Sequence, residues 1–193
     1  MEFSLVKSET QIDRFQALWE DFCEEKNIPY WDQNKKALRF LLFHDKKPTG
    51  TIQFAPFHLN NPQSEIEKWY QFSTNEYVQK LVAENNILFE LSKLSIKKDE
   101  RGKGHFKTLI SLMAAISRKK DINYCMAVVS ERLYLYIISN GFPCEKLEDE
   151  VMINSNTIGI PIVINVKECM EKLFIFPWYR DLVVEIDDEM LKL

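Results

Sequence analysis

The chain opens on alternation. Phe3 and Leu5 stand between polar neighbours in "EFSLVKS", the period-two pattern of a half-buried strand. At Ser8 the period changes. Ser8 and Gln11 form a capping-box pair, after which Ile12, Phe15, Trp19, Phe22 and Cys23 recur at helical spacing. This predicts a helix from Ser8 to about Asn27. "ALRFLLFHD" and "GTIQFAPF" read as two strands of a hairpin, with "KKPTG" between them as the turn, because Pro and Gly supply turn chemistry. Residues 58–86 are the least regular stretch. There Ser73 and Glu76 make a second capping pair, which predicts a helix over "NEYVQKLVAE", and "EIEKWYQF" reads as a further helical piece.

Regular patterning then returns. "ILFELSKLSI" reads as a strand, and "HFKTLISLMAAISRK" as a helix with Phe106, Leu109, Ile110, Met113 and Ser117 on one face. "INYCMAVVS" is a nearly continuous apolar run, as expected of a strand buried on both faces. "ERLYLYIISNGF" reads as a short helix stopped by Gly141 in the left-handed conformation. "GIPIVINV" and "VKECMEKLF" complete the pattern as a late strand and a late helix. The central strand–helix–strand unit implies a right-handed crossover between parallel strands, with antiparallel hairpins beside it. The expected fold class is α/β, a central mixed β-sheet flanked by helices. With no repeat and no linker composition, residues 1–193 are expected to form one domain, with a helical insert at about 58–86 and a C-terminal extension at about 157–193.

Composition narrows the function. A hydrophobic content of 46% suits one sizeable core, and a net charge of −4 argues against general nucleic-acid or anionic-membrane binding. The opening residues lack a signal-peptide pattern and no apolar run reaches the ~18 residues of a spanning helix, so a cytoplasmic location without stable membrane insertion is expected. Cys23, Cys125, Cys144 and Cys169 are scattered without CxxC spacing, as reduced core thiols are. His44, His58 and His105 show no metal-ligand spacing, and no metal is expected.

One short stretch departs from this acidic background. "IKKDERGKGHFKTL" (96–109) holds two of the chain's five glycines. It sets Lys97, Lys98, Arg101, Lys103 and Lys107 against Asp99 and Glu100, a local charge of +3 in a chain of −4. The helix that follows begins with unpaired N–H groups and a partial positive charge. Basic residues there are unfavourable unless an anion arrives, and glycines leave the amides open to one. The spacing fits neither a P-loop, with Phe106 where the second Gly belongs, nor a dinucleotide fingerprint, whose third Gly is replaced by Lys107.

Arg101-Gly102-Lys103-Gly104-His105, placed between a strand and a helix, resembles the pyrophosphate loop of the Gcn-type N-acetyltransferase (GNAT) superfamily, Arg/Gln-x-x-Gly-x-Gly/Ala. "ISNGF" (138–142) resembles that superfamily's closing helix-to-strand signature. "FELSKLSI" is similar to the E-x-S-R strand of the acyl-homoserine-lactone synthase-like branch, as is "IGIPIVINVKE" to its late Gly-x-Pro strand. The resemblance implies a GNAT fold and an acyltransferase using acyl-CoA, acetyl-CoA or the phosphopantetheine arm of an acyl carrier protein. On that carry-over, amides of Arg101, Gly102, Lys103, Gly104, His105 and Phe106 hold the phosphates, while Leu94, Ser95 and Ile96 pair with the pantetheine amides. A small-molecule amine is the implied acceptor. Phe106 stands where the superfamily has a small residue, Lys93 where the synthase branch has Arg, and Ile137 where acetyltransferases often have Tyr.

The chemistry of acyl transfer needs an amine that loses a proton and a thiolate that leaves. Glu90 is the candidate base if burial raises its pKa; otherwise it pairs with Lys93 or caps the sheet edge. Lys93 binds an acceptor carboxylate or points to solvent. Tyr136 is the candidate proton donor to the thiolate, or a packing aromatic. Trp31, with Trp69, Tyr70 and Phe72, walls an acceptor or acyl pocket or packs in the core. The apolar "LFIFPWYRDLVVEI" is expected to pack on the domain or across a homodimer.

Overall fold

The computed structural model describes residues 2–173 apart from Gln33 and Lys35, so the C-terminal segment "FIFPWYRDLVVEI" lies outside the described residues. Among the described residues eight strands and five α-helices run in the order β1 (Glu2–Leu5), α1 (Glu9–Lys26), β2 (Leu38–His44), β3 (Lys47–Pro56), α2 (Glu76–Ala83), β4 (Leu88–Ile96), α3 (His105–Lys120), β5 (Tyr124–Val129), α4 (Glu131–Ser139), β6 (Cys144–Lys146), β7 (Val151–Asn154), β8 (Thr157–Asn165) and α5 (Val166–Leu173). The sheet order is β1-β2-β3-β4-β5-β8-β6, with β7 paired to β8. Among the described residues only β4 and β5 run parallel, joined by α3 as the crossover. This is the mixed α/β sheet that the patterning predicts.

Period-two alternation sorts the sheet into two faces. Phe40, Leu42, Phe89, Cys125, Ala127, Ile162 and Ile164 pack with α3, α4 and α5 in the main core. Leu41 turns the other way onto Phe15 and Leu18 of α1, and Leu88, Met126 and Val163 turn onto the insert residues Ile66, Phe72, Val78 and Leu81. Both faces of β5 are therefore covered, as its apolar run implies. The first capping signal holds: Ser8 Oγ accepts from the Gln11 amide and Gln11 Oε1 accepts from the Ser8 amide, closing the N-terminus of α1.

Two expectations need correction. The β2–β3 turn is not "KKPTG" but Asp45–Lys46, both at positive φ, while Pro48, Thr49 and Gly50 lie inside β3. Gly50 serves close packing, because a Cβ there would sit 2.3 Å from the Ser95 carbonyl oxygen on β4. In the insert, α2 is capped by Asn75, whose side chain accepts from the Tyr77 and Val78 amides. The Ser73 hydroxyl instead donates to Glu67. "EIEKWYQF" holds one single turn of 3₁₀ helix, Ile66–Lys68, and its last residue opens a second, Phe72–Thr74. Among the described residues no helix is long and apolar enough to cross a membrane. The four cysteines are free, and burial raises Cys23 to about 11 and Cys144 and Cys169 to about 12. These thiols are poor nucleophiles near neutral pH.

Candidate functional site

The site is built around β4. It pairs with β5 over Leu88–Tyr124, Phe89–Cys125 and Glu90–Met126 only, yet β4 continues to Ile96 and β5 to Val129. Beyond Glu90 each strand keeps its outer partner, β3 for β4 and β8 for β5. Their facing edges are thus left without strand partners over Leu91–Ile96 and Ala127–Val129. Unpaired main-chain donors and acceptors of this kind are ready to bind an extended, amide-bearing ligand.

At the open end of β4, a 3₁₀ turn (Lys98–Glu100) leads into Arg101, Gly102, Lys103 and Gly104, and α3 begins at His105. Gly102 and Gly104 have φ of 80° and 83°. A Cβ on either would meet nothing within 4 Å, so torsion rather than space demands glycine here. Gly104 is the N-cap of α3 and brings no side-chain hydrogen bond, and the first turn contains no acidic residue. α3 thus starts with neither an N-cap side chain nor a first-turn carboxylate to serve its orphan amides, as suits an anion site. Replacing Gly104 by Ala is expected to cost about 1 kcal/mol of stability, the strain of a left-handed alanine. It should also weaken binding of a pantetheine phosphate; chemical denaturation and calorimetry check the two effects.

The basic side chains of this loop are already engaged. Arg101 makes a bidentate pair with Glu25 at 2.7 and 2.6 Å and donates to the Ile96 carbonyl at 2.8 Å. Its hydrogen bonds hold the Glu25 carboxyl down at about 2. Lys103 pairs with Glu100 at 2.9 Å. His105 is buried rather than exposed, with its ring 5.4 Å from that of His44. Phe106 turns its ring onto Tyr136 (4.6 Å) and Phe142 (5.8 Å), along α4. Tyr136 is about half exposed and lies against this ring, while Ile137 is buried in the core.

Glu90, the last β4 residue paired with β5, turns its carboxylate toward the insert. It is fully buried and accepts from Ser64 Oγ (2.5 Å), the Glu65 amide (3.2 Å) and Asn34 Nδ2 (3.3 Å). Burial raises its pKa, while these three donors pull in the opposite direction. Lys93 also faces inward, correcting the solvent-facing expectation. Its Nζ contacts Asp32 at 2.6 Å and Glu65 at 3.5 Å, rather than pairing with Glu90. Arg39 joins Asp32 at 2.5 Å and donates to Gln53, which donates to Ser92. Burial pushes the Asp32 carboxyl up, but Lys93 and Arg39 together bring it below its usual value.

A bulge makes this network. Between Thr51–Ser95 and Gln53–Ser92 the pairing gains one residue on β4, and Lys93 adopts φ 50°. In a regular strand Glu90 and Lys93, three apart, would face opposite sides. The extra residue puts both on the face covered by α1 and the insert. The Thr51 hydroxyl donates to the Lys93 carbonyl at 2.7 Å, holding the bulge. Trp31 packs against Trp69 with ring centroids 4.9 Å apart and planes tilted by 35°, with Lys68 over the Trp31 ring, whereas Phe72 is core. Leu94 and Ile96 are half-buried against the α3 face, and Ser95 is buried against Thr51. An open groove of about 940 Å³ separates the insert, from Glu67 to Tyr77, from Glu145–Glu148. It includes Trp69 but neither Glu90 nor the glycine loop.

Sequence reasoning singled out the glycine loop, Glu90 and Lys93, but missed Asp32, Asn34, Arg39, Ser64 and Glu65. Asp32 and Asn34 lie in "YWDQNKK", whose irregular pattern carries no periodic signal.

No protein-family model matches the sequence, and no curated protein matches it. The fold is nonetheless shared. The N-acyl amino acid synthase FeeM from uncultured soil microbes superposes with a TM-score of 0.65 at 12% identity, over 95% of this chain and 94% of that one. The CoA-dependent acyl-homoserine lactone synthase MesI superposes at 0.59 with 14% identity, over 94% and 95%. An acyl-CoA N-acyltransferase from Pseudomonas aeruginosa superposes at 0.53 with 13% identity, over 84% and 99%. The chain thus has the GNAT fold, in a form similar to the acyl-homoserine lactone synthases.

Proposed function

We propose that the chain is an N-acyltransferase that moves an acyl group from a pantetheine thioester, carried by coenzyme A or by an acyl carrier protein, to the amine of a small acceptor. The observation that carries this reading is the parting of β4 and β5 after Glu90–Met126, with the uncapped N-terminus of α3 at the open end of β4. A phosphorylated pantetheine arm matches both parts: amides along its length for the strand edges, and phosphate for the helix amides. The main chain of Gly104, His105 and Phe106 would hold the phosphate, with Leu94, Ser95 and Ile96 on the pantetheine. Because Arg101 and Lys103 are held by Glu25 and Glu100, the phosphate is bound by main-chain amides in the first instance.

In this reading Glu90 takes the proton from the amine. Its complete burial rules out direct contact in this state, so the proton passes through Ser64 or an intervening water. Attack of the freed amine on the thioester carbonyl forms the amide and expels the thiolate. Tyr136 reaches the loop side of α4 and would protonate that thiolate. Lys93, committed to Asp32 and Glu65, positions the network around Glu90 and does not bind an acceptor carboxylate in this state. Trp31 and Trp69 offer an apolar wall to the acceptor.

A second reading, a module that holds an acyl-pantetheine compound without turning it over, is favoured by the fully hydrogen-bonded, inaccessible Glu90. The test is thiol release from acyl-CoA, recorded with and without a panel of amines. The enzyme reading expects release only when donor and amine are both present. Binding of acyl-CoA with no amine-dependent release across the panel favours the second reading. Comparing acetyl with long-chain donors separates a plain acetyl-CoA-dependent acetyltransferase from the synthase-like chemistry.

A further inference from the structure

We infer that His44, Glu100 and His105 form a site for a divalent transition metal of the zinc class, joining the end of β2 to the glycine loop. His44 is the last residue of β2, Glu100 ends the 3₁₀ turn after β4, and His105 opens α3. One ligand atom from each lies within 4.8 Å of the other two. His44 Nδ1 is 2.7 Å and His105 Nε2 3.5 Å from the same oxygen, Glu100 Oε2. Around a tetrahedral zinc at 2.0–2.1 Å, ligand atoms stand about 3.3 Å apart, so small side-chain shifts suffice.

The second observation is the state of His105. Its side chain is only 7% exposed, and Nε2 makes no hydrogen bond. A buried ring nitrogen without a partner demands an explanation. Protonated, it faces a carboxylate oxygen without forming the bond; unprotonated, it turns a lone pair toward that oxygen's own lone pairs. A cation between them resolves either case. Two imidazoles and one carboxylate select zinc, cobalt or nickel over calcium or magnesium, which take oxygen ligands. The half-exposed His44 leaves the fourth position open to water.

The surroundings suit the assignment. Lys103 occupies Glu100 Oε1 at 2.9 Å, so the metal would take Oε2 and replace its 2.7 Å hydrogen bond with His44 Nδ1. His44 Nε2 lies 4.0 Å from the Asp45 carboxylate, the kind of partner that orients a metal-bound imidazole. Glu100 and His105 bracket Arg101–Gly104, so the ion would clamp the glycine loop at both ends while leaving its main chain free.

The test uses the full chain, stripped with chelator and titrated with Zn²⁺ by calorimetry and with Co²⁺ by visible absorption. One equivalent of Zn²⁺, four-coordinate cobalt bands and a Zn²⁺-dependent rise in unfolding temperature are expected. His44→Ala and His105→Ala should each weaken Zn²⁺ binding by more than about tenfold, the loss seen when even an outer partner of a metal ligand is removed. His44, at a half-exposed strand end, tolerates substitution; if His105→Ala fails to fold, Glu100→Gln takes its place. No saturable binding by the wild type, or equal binding by wild type and variants, overturns the assignment.

Discussion

Glu90→Gln is expected to lower turnover at least ~100-fold while leaving donor binding intact, because a positioned base contributes roughly that factor or more. Glutamine keeps the shape of the side chain, and its carbonyl oxygen still accepts from Ser64 and the Glu65 amide. What it loses is the capacity to take a proton. In the wild type kcat/KM should rise with pH through the raised pKa of Glu90 and then level, since the base works deprotonated. Stability changes in the opposite sense. A carboxyl raised by burial favours the fold below its unfolded value of 4.5 and loses that contribution as pH rises through its folded value. Glu90→Gln has no such loss, so its stability relative to wild type should improve over that window. Chemical denaturation at several pH values gives the second profile. Unchanged turnover in Glu90→Gln removes Glu90 from the chemistry and leaves it an anchor for Ser64 and Glu65.

Lys93→Met carries the largest expected effect on stability. The Lys93 ammonium is 2% exposed and faces Asp32 and Glu65. Deleting one partner of such a buried cluster typically costs about 3–5 kcal/mol; with Arg39 still on Asp32 and Lys68 3.8 Å from Glu65, the lower end of that range is expected. Lys93→Gly separates this from backbone strain. Glycine relieves the left-handed residue by about 1–2 kcal/mol, less than the charge loss, and empties the space of the buried methylenes that Met would fill, so both variants should be destabilised. A Gly variant as stable as the wild type would mean that strain, not charge, dominates at the bulge. Urea denaturation of the three proteins decides.

The same bulge explains what was legible in the sequence and what was not. Some signals read correctly, the Ser8–Gln11 cap, Gly141 after α4 and the apolar run of β5, whereas the equally local Ser73–Glu76 pair gave way to Asn75 as the cap of α2. Glu90 and Lys93 stand out as residues, but three positions apart on a regular strand they would face opposite sides. Only the inserted residue, held by Thr51, turns them toward one network. Their partners Asp32, Ser64 and Glu65 come from irregular segments that carry no period. Gly50 misled for a related reason: it looked like a turn glycine because its contact, the Ser95 carbonyl, lies across the sheet. His44 and His105 showed no spacing for the same reason, since the meeting of β2 with α3 is a property of the fold.

The proposed function rests on one physical claim: α3 amides freed by Gly102 and Gly104 hold the phosphate of a pantetheine arm lying between β4 and β5. The most direct measurement is the ratio of affinities for 4′-phosphopantetheine and pantetheine, which differ by that phosphate alone. The expected result is at least about tenfold tighter binding of the phosphorylated form, equivalent to roughly 1.4 kcal/mol, with Gly104→Ala narrowing the difference. Equal affinities in the wild type would contradict the claim.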